Sequence, residues 1–161
     1  AAFRGKCDPD ELAWECASMG AAYNYALVAP ERNSVGLACV LKMSKPPIDY
    51  PNLFRHIMEG NVSENESSDL GWRTTPKTRP LMLTNLRSLV RERELVIPDI
   101  RTVREMRSFI RVENLGRLAA AVSGANDDMV MSLAGAVSIR DRQYSELAFE
   151  VVDEDHDYYA I

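Results

Sequence analysis

The 161-residue sequence predicts an α/β fold in which a mixed sheet is flanked by helices. Short apolar runs such as YALVAP at 25–30 are typical of buried parallel strands, and helical patterns alternate with them along the chain. The composition, with 46% apolar and 27% charged residues, is that of a globular protein of one domain. No apolar run approaches the roughly 18 residues of a membrane span. Acidic residues interrupt the first segment, which argues against a signal peptide.

The first half of the chain predicts two helices and two strands. Residues 8–11 (DPDE) form a helix start, with Asp8 as the N-cap, Pro9 in the first helical position and Glu11 three residues after the cap. The expected elements are a helix over 9–20, a strand over 25–30, a helix over 34–43 and a strand over 52–57. The polar stretch 59–70 lacks a core-forming pattern and is expected to be a mobile loop.

The second half predicts three helices, a strand and a hairpin. Leu83, Leu86 and Val90 share one face of the strongest helical pattern. A turn containing Gly116 separates two strand-like runs and predicts a β-hairpin near 109–121. The expected elements are a helix over 78–93, a strand over 95–98, a helix over 100–108, the hairpin, and a helix over 127–144 capped by Asn126 or Asp127. The domain is expected to cover 1–145, followed by an acidic tail over 146–161 in which residues 153–157 are expected to be frayed.

A basic block lies within an acidic chain of net charge −5. Residues 71–117 carry 11 basic and 5 acidic side chains, whereas 1–70 and 118–161 carry net charges of −4 and −7. Ten of the 11 basic residues are arginine, which suits bidentate phosphate contacts. On charge alone, a phosphate-facing surface and a solvated helix face both remain open.

Several common kinds of site are disfavoured by the sequence. Cys7, Cys16 and Cys39 lack C-x-x-C spacing, so reduced core thiols are expected instead of a disulfide framework or a zinc site. The chain also lacks the glycine-rich fingerprints of dinucleotide-binding and ATP-binding loops.

Two acidic positions are candidates for chemistry. Glu31 lies just past the end of the predicted strand 25–30, where open α/β sheets bind ligands, and Asn33 follows it. Asp127 and Asp128 open the last predicted helix, where the helix dipole explains one carboxylate better than two adjacent ones. Carboxylates are the ligands that Mg²⁺ and Mn²⁺ prefer, so a metal site and simple helix capping both remain open.

Five segments, in order over roughly residues 1–145, resemble the C-terminal nuclease domain of tailed-phage large terminase subunits. The segments are AAFRGKCDPDELA, YNYALVAPERNSVGLA, GWRTTPKTRPLMLTNL, ELVIPD and GANDDMVMSLAGA. The resemblance implies a ribonuclease H-like mixed sheet with the hairpin as an excursion. It also implies a two-metal endonuclease that uses Mg²⁺ or Mn²⁺ to cut concatemeric double-stranded DNA, in the cytoplasm of a bacterial host.

The resemblance also assigns the site. Glu31 matches the second catalytic acid of the family, and Asp127 and Asp128 match its terminal acidic pair. Asn33, close to Glu31 in the sequence, is expected to be a supporting residue. Asn126 stands where the family often has a histidine. The family's first catalytic aspartate precedes the segment that AAFRGK resembles, so this chain is expected to lack that acid and the opening strands. We expect Glu31 and one of the two aspartates to lie roughly 4–8 Å apart, given a spacing of ~3.5–4 Å between two metal ions.

Phosphate contacts are expected in the loop before the helix 78–93. Arg73, Thr75, Lys77 and Arg79 suit sequence-independent binding to double-stranded DNA, although helix capping explains the threonines equally well. The partners implied by the resemblance are the terminase ATPase domain, the small terminase subunit and the portal protein. An open sheet edge would also allow a homo-oligomer.

Three functions therefore remain open. The first is the packaging nuclease itself. The second is a catalytically incomplete prophage remnant, or an assembly or DNA-binding module of the same fold. The third is another ribonuclease H-like nuclease, such as a junction resolvase.

Overall fold

Helices make up most of the described part of the chain. The computed structural model describes residues 2–55, 70–110, 120–121 and 127–143. These residues contain five α-helices: α1 (Pro9–Ala22), α2 (Gly36–Met43), α3 (Thr78–Arg91), α4 (Ile100–Arg107) and α5 (Asp128–Ile139). A turn of 3-10 helix, Arg140–Arg142, continues α5. The helices expected from the sequence are thus present, with ends that differ by a few residues.

Local hydrogen bonds explain where two of these helices begin. Glu11 accepts the backbone N–H of Asp8 at 3.2 Å, as a capping box requires. At the start of α4, Asp99 accepts the N–H and hydroxyl of Thr102 at 3.2 and 2.8 Å. The Arg101 side chain and then Thr102 lower the pKa of Asp99 to about 2, because both donate hydrogen bonds to its ionised form.

The predicted mixed sheet, and with it the α/β and ribonuclease H-like fold class, is wrong for the described residues. Sheet structure there is limited to isolated bridges and one antiparallel pair of two-residue strands, β1 (Phe109–Ile110) and β2 (Ala120–Ala121). The pair lies at the base of the predicted hairpin, whose remaining residues 111–119 are outside the described part. The predicted loop 59–70 is likewise outside it except for Leu70, as is the tail 146–161.

The predicted strands fail for local reasons. Within the described ranges, segment 26–31 pairs only through single parallel bridges, Val28 with Leu53 and Glu31 with Trp72. Asn24 and Tyr25 have positive φ values of 56° and 51°, so the chain turns where that strand was expected to start, and Pro30 has no N–H to donate. Residues 95–98 were expected to form a strand, but they form none, and Val96 is 86% exposed. Residues 56 and 57 of the other predicted strand lie outside the described part.

Two hydrophobic clusters organise the described helices. The first joins α1 and α2 through Ala13, Cys39, Met43 and Tyr50. The second joins α3 and α5 through six buried residues: Met82, Leu86, Leu89, Val130, Ala134 and Val137. The Phe54 and Trp72 rings lie 5.6 Å apart, and the Arg142 guanidinium carbon lies 5.2 Å from the centre of the Phe54 ring. These contacts connect the chain after α5 to the first half of the molecule.

Two further features of the described residues are the character of their helices and the state of their cysteines. Among them, no helix is both long enough and apolar enough to cross a membrane. Cys7, Cys16 and Cys39 carry free thiols, and Cys39 is buried.

Tyr50 is the polar contact within the first cluster and the basis of a stability prediction. Its hydroxyl donates to the carbonyl of Ala26 at 2.7 Å, and its ring lies so close to Gly20 that a Cβ there would collide with the hydroxyl. We expect Tyr50→Phe to lower the free energy of unfolding by about 1 kcal/mol, because the carbonyl of Ala26 loses its donor. Urea unfolding followed by circular dichroism measures this, with the exposed Tyr23→Phe as control. Equal effects of the two changes would contradict the assignment.

The same residue gives the stability a dependence on alkaline pH. Burial, and next the nearby Tyr25, raise the pKa of Tyr50 from 10 to about 12. A raised folded-state pKa means that this contribution is complete below pH 10 and is lost as the pH rises through 12. Tyr50→Phe should therefore flatten the decline of stability between pH 10 and 12.

Candidate functional site

An open cleft lies between the two hydrophobic clusters. Its volume is about 640 Å³, and segment 26–31 forms one wall. Residues of α1, including Met19, and residues of α5, including Met131 and Ile139, line the remainder with mostly apolar side chains. Glu31, Thr74 and Asp128 are the polar members that matter for chemistry, so the cleft combines an apolar surface with two carboxylates.

Segment 26–31 and α5 face each other across this cleft. The side-chain oxygen of Gln143, just beyond α5, accepts the N–H of Leu27. The segment therefore starts beside the C-terminal end of α5, and its last residue, Glu31, lines the same cleft as Asp128. The structure thus brings two of the predicted site residues into one cleft, and their predicted separation of roughly 4–8 Å stays a prediction.

Glu31 is held by its backbone and by its side chain. The N–H of Trp72 donates to the carbonyl of Pro30, and the N–H of Arg32 donates to the carbonyl of Trp72, both at 2.8 Å. The Asn33 amide donates to a carboxylate oxygen of Glu31 at 2.8 Å and to the carbonyl of Thr74 at 3.1 Å. Asn33 therefore ties the Glu31 carboxylate to the chain after Trp72, and its supporting role at a functional site stays a prediction.

A close backbone approach fixes the turn that follows Glu31. Gly36 opens α2, and a Cβ on it would collide with the carbonyl oxygen of Glu31. Only glycine leaves room for that carbonyl, so the position of Glu31 depends on this residue.

Asp127 and Asp128 have different surroundings, although they are adjacent. Asp127 forms an ion pair with Arg79, with Nη2 and Oδ2 separated by 2.6 Å and both side chains about one third exposed. Asp128 is exposed and lines the cleft with Glu31. Of the predicted acidic pair, Asp128 is therefore the member available to a ligand in the cleft. Asn126 lies outside the described residues.

Glu105 is a buried acid that the sequence did not mark as a site residue. One of its oxygens accepts the backbone N–H groups of Met129 and Val130, at 2.7 and 3.2 Å, at the start of α5. The sequence placed it in an arginine-rich helix. The sequence offered one indication that Glu105 is buried. It lies one turn after Thr102 and next to Met106, and these residues share the buried face of α4.

The predicted phosphate-binding residues divide into two groups. Arg73 and Lys77 are exposed, whereas Arg79 is engaged by Asp127. The hydroxyl of Thr75 accepts the N–H of Thr78 at 3.1 Å, and the hydroxyl of Thr78 accepts the N–H of Thr75 at 2.8 Å. Capping, the alternative that the sequence left open for the threonines, is therefore what Thr75 does at the start of α3.

The carboxylates fit a hard divalent cation only in part. Mg²⁺ is commonly held by one or two carboxylates together with water and phosphate oxygens, and Glu31 and Asp128 can supply that number. In the described ranges, however, no three acidic, cysteine or histidine side chains group as a metal cage would require. The second ion implied by the resemblance would need a further carboxylate, and Arg79 already binds the neighbouring Asp127.

Comparison with known proteins adds no assignment. No family model matches the sequence, and no solved structure matches the fold.

The turn after Glu31 gives a prediction with a matched control. Gly36→Ala should lower the free energy of unfolding by about 1–3 kcal/mol, because the added methyl group overlaps the carbonyl of Glu31. Gly135→Ala in α5 places its Cβ 3.8 Å from Met82, an ordinary contact, and should raise stability by about 0.5–1 kcal/mol. Urea unfolding of both variants tests this. Equal stability of Gly36→Ala and the wild type would show that the turn is not tight.

Proposed function

We propose that the chain acts on DNA as the metal-dependent endonuclease part of a viral packaging terminase. The observation that supports this best is the shared cleft of Glu31 and Asp128, because these residues come from two distant segments that both resemble that family. The order of the five segments is the second support. The proposed reaction and its residues do not require the mixed sheet.

Each residue near the cleft has a defined part in the proposed reaction. Glu31 and Asp128 would hold Mg²⁺ or Mn²⁺, and Asn33 orients the Glu31 carboxylate. The bound ion supplies water activation and neutralises charge on the phosphate. Arg73 and Lys77 hold the DNA backbone by contacts that do not read base sequence. The ATPase domain, small subunit and portal protein of the terminase are the proposed partners.

A second candidate function is a DNA-binding or assembly module with an incomplete site. The ion pair between Arg79 and Asp127 favours it, since this pair leaves two carboxylates in the cleft where the family chemistry uses at least three. Such a module would keep the phosphate contacts and lose cleavage. Both functions therefore predict DNA binding, and only the first predicts cleavage.

Cleavage tests the leading function directly. On supercoiled plasmid, we expect weak nicking that requires Mn²⁺ and stops with EDTA. Asp128→Asn and Glu31→Gln should each abolish the nicking and keep DNA affinity within about threefold, because the catalytic and phosphate-binding residues are different. Glu15→Gln, an exposed acid on α1, is the control.

The results separate the candidates. Metal-independent cleavage, or nicking unaffected by both substitutions, would exclude the proposed chemistry. DNA binding by a pure protein that never cleaves would favour the incomplete module.

The loop before α3 is the expected determinant of DNA affinity. Arg73→Ala and Lys77→Ala should each weaken binding equally on unrelated duplexes and reduce the slope of log affinity against log salt by about 1. Arg79→Ala should have a smaller effect on this slope, because Asp127 already neutralises that guanidinium. Fluorescence anisotropy at several salt concentrations measures this.

The exposed Lys45→Ala serves as the charge-matched control outside the loop. A loss that depends on base sequence would indicate base recognition and contradict this prediction.

A further inference from the structure

Glu105 is a buried carboxylate on α4 that the proposed reaction does not use. Its residue is 7% exposed. Its Oε1 accepts the N–H groups of Met129 and Val130 on α5, and its Oε2 lies 3.7 Å from a guanidinium nitrogen of Arg4. A buried charge requires partners of this kind, so the contact joins α4 to the start of α5.

The contact replaces a local helix cap. The first amides of a helix have no partner within the helix, and a nearby carboxylate is favoured there by hydrogen bonding and by the helix dipole. Asp127 is the residue before α5 and would ordinarily take this role. Within the described residues, however, its side chain makes no hydrogen bond to these amides and pairs with Arg79 instead.

The amides that Glu105 binds are those of the two residues directly after Asp128. If they were free, they would attract the carboxylates of Asp127 and Asp128 back onto the helix end, as short acidic side chains commonly bind nearby amides. Because Glu105 already binds these amides, they are not available to the Asp128 carboxylate, and Asp128 lines the cleft together with Glu31.

We propose that Glu105 is a positioning residue that keeps the Asp128 carboxylate directed into the cleft, where it binds a divalent cation. This inference rests on the proposed function, because it takes the metal-binding role of Asp128 from it. Residues that hold a metal ligand in place typically change metal affinity 10–100-fold when they are removed.

Mn²⁺ alone is the probe, and its affinity for the full 161-residue chain is measured by calorimetry. We expect Glu105→Ala to bind Mn²⁺ at least tenfold more weakly than the wild type. Glu105→Gln should remain within about threefold, because its carbonyl oxygen can still accept both N–H groups. Val137→Ala, which removes buried volume from the same helix away from its start, should destabilise the protein and leave Mn²⁺ affinity unchanged.

A variant that fails to fold does not end the test. Glu105→Asp keeps the charge and withdraws the oxygens by one methylene, and it should show the same tenfold loss as Glu105→Ala. Amide exchange of Met129 and Val130, measured by NMR, should speed up in this variant and stay slow in Glu105→Gln. Unchanged exchange and affinity in Glu105→Asp would overturn the inference.

The remaining outcomes distinguish the inference from the function on which it rests. Equal losses of affinity in Glu105→Ala and Val137→Ala would show a merely structural role and overturn the inference. If Glu105→Ala binds Mn²⁺ normally while Asp128→Ala does not, the inference about Glu105 is also overturned. The proposed function then stands. A wild type that fails to bind Mn²⁺, or an Asp128→Ala variant that binds it normally, would overturn both.

Discussion

Packing of α3 against α5 is the constraint on which the candidate site depends. Met82, Leu86, Val130 and Ala134 are nearly inaccessible to solvent, and each large apolar side chain buried in this way contributes about 1.5–3 kcal/mol. Arg79 lies three residues before Met82, so the packing brings it to the start of α5. A partly exposed ion pair contributes only about 0–1 kcal/mol. The helix contact therefore fixes the position of the ion pair, and not the reverse.

The start of α5 gathers three acids, and its structure depends on keeping them in different environments. Adjacent carboxylates disfavour each other's ionised form unless cations or hydrogen bonds separate them. Asp127 has the Arg79 guanidinium, and Glu105 has two backbone amides and Arg4. Asp128 remains exposed at the cleft. Three like charges can thus share one helix end while one of them stays accessible to a ligand.

Residues of both hydrophobic clusters line the cleft, including Cys16 beside the first cluster and Met82 of the second. Segment 26–31 lies between them and exchanges backbone hydrogen bonds with residues near Leu53 and Trp72. The Gln143 side chain accepts the N–H of Leu27, and the Arg142 guanidinium lies over the Phe54 ring, so the chain beyond α5 contacts the first half of the molecule. Glu31 and Asp128 both line this cleft. Thr74 also lines the cleft, so the proposed DNA-binding loop that begins at Arg73 borders it.

The sequence alone determined the helices, because apolar spacing and capping residues act over a few positions. Pro9, Glu11 and Asp99 act within one turn of chain, and their effects do not require the rest of the molecule. The sequence also identified Glu31, Asn33 and the two aspartates as candidates.

The sequence could not predict the absence of a mixed sheet in the described residues, because a short apolar run becomes a sheet strand only if a neighbouring segment completes its hydrogen-bond ladder. The separation of Asp127 from Asp128 and the role of Glu105 were decided by tertiary structure alone. Both depend on residues that are distant in sequence from α5. Helix packing brings Arg79 of α3 and Glu105 of α4 to the start of α5.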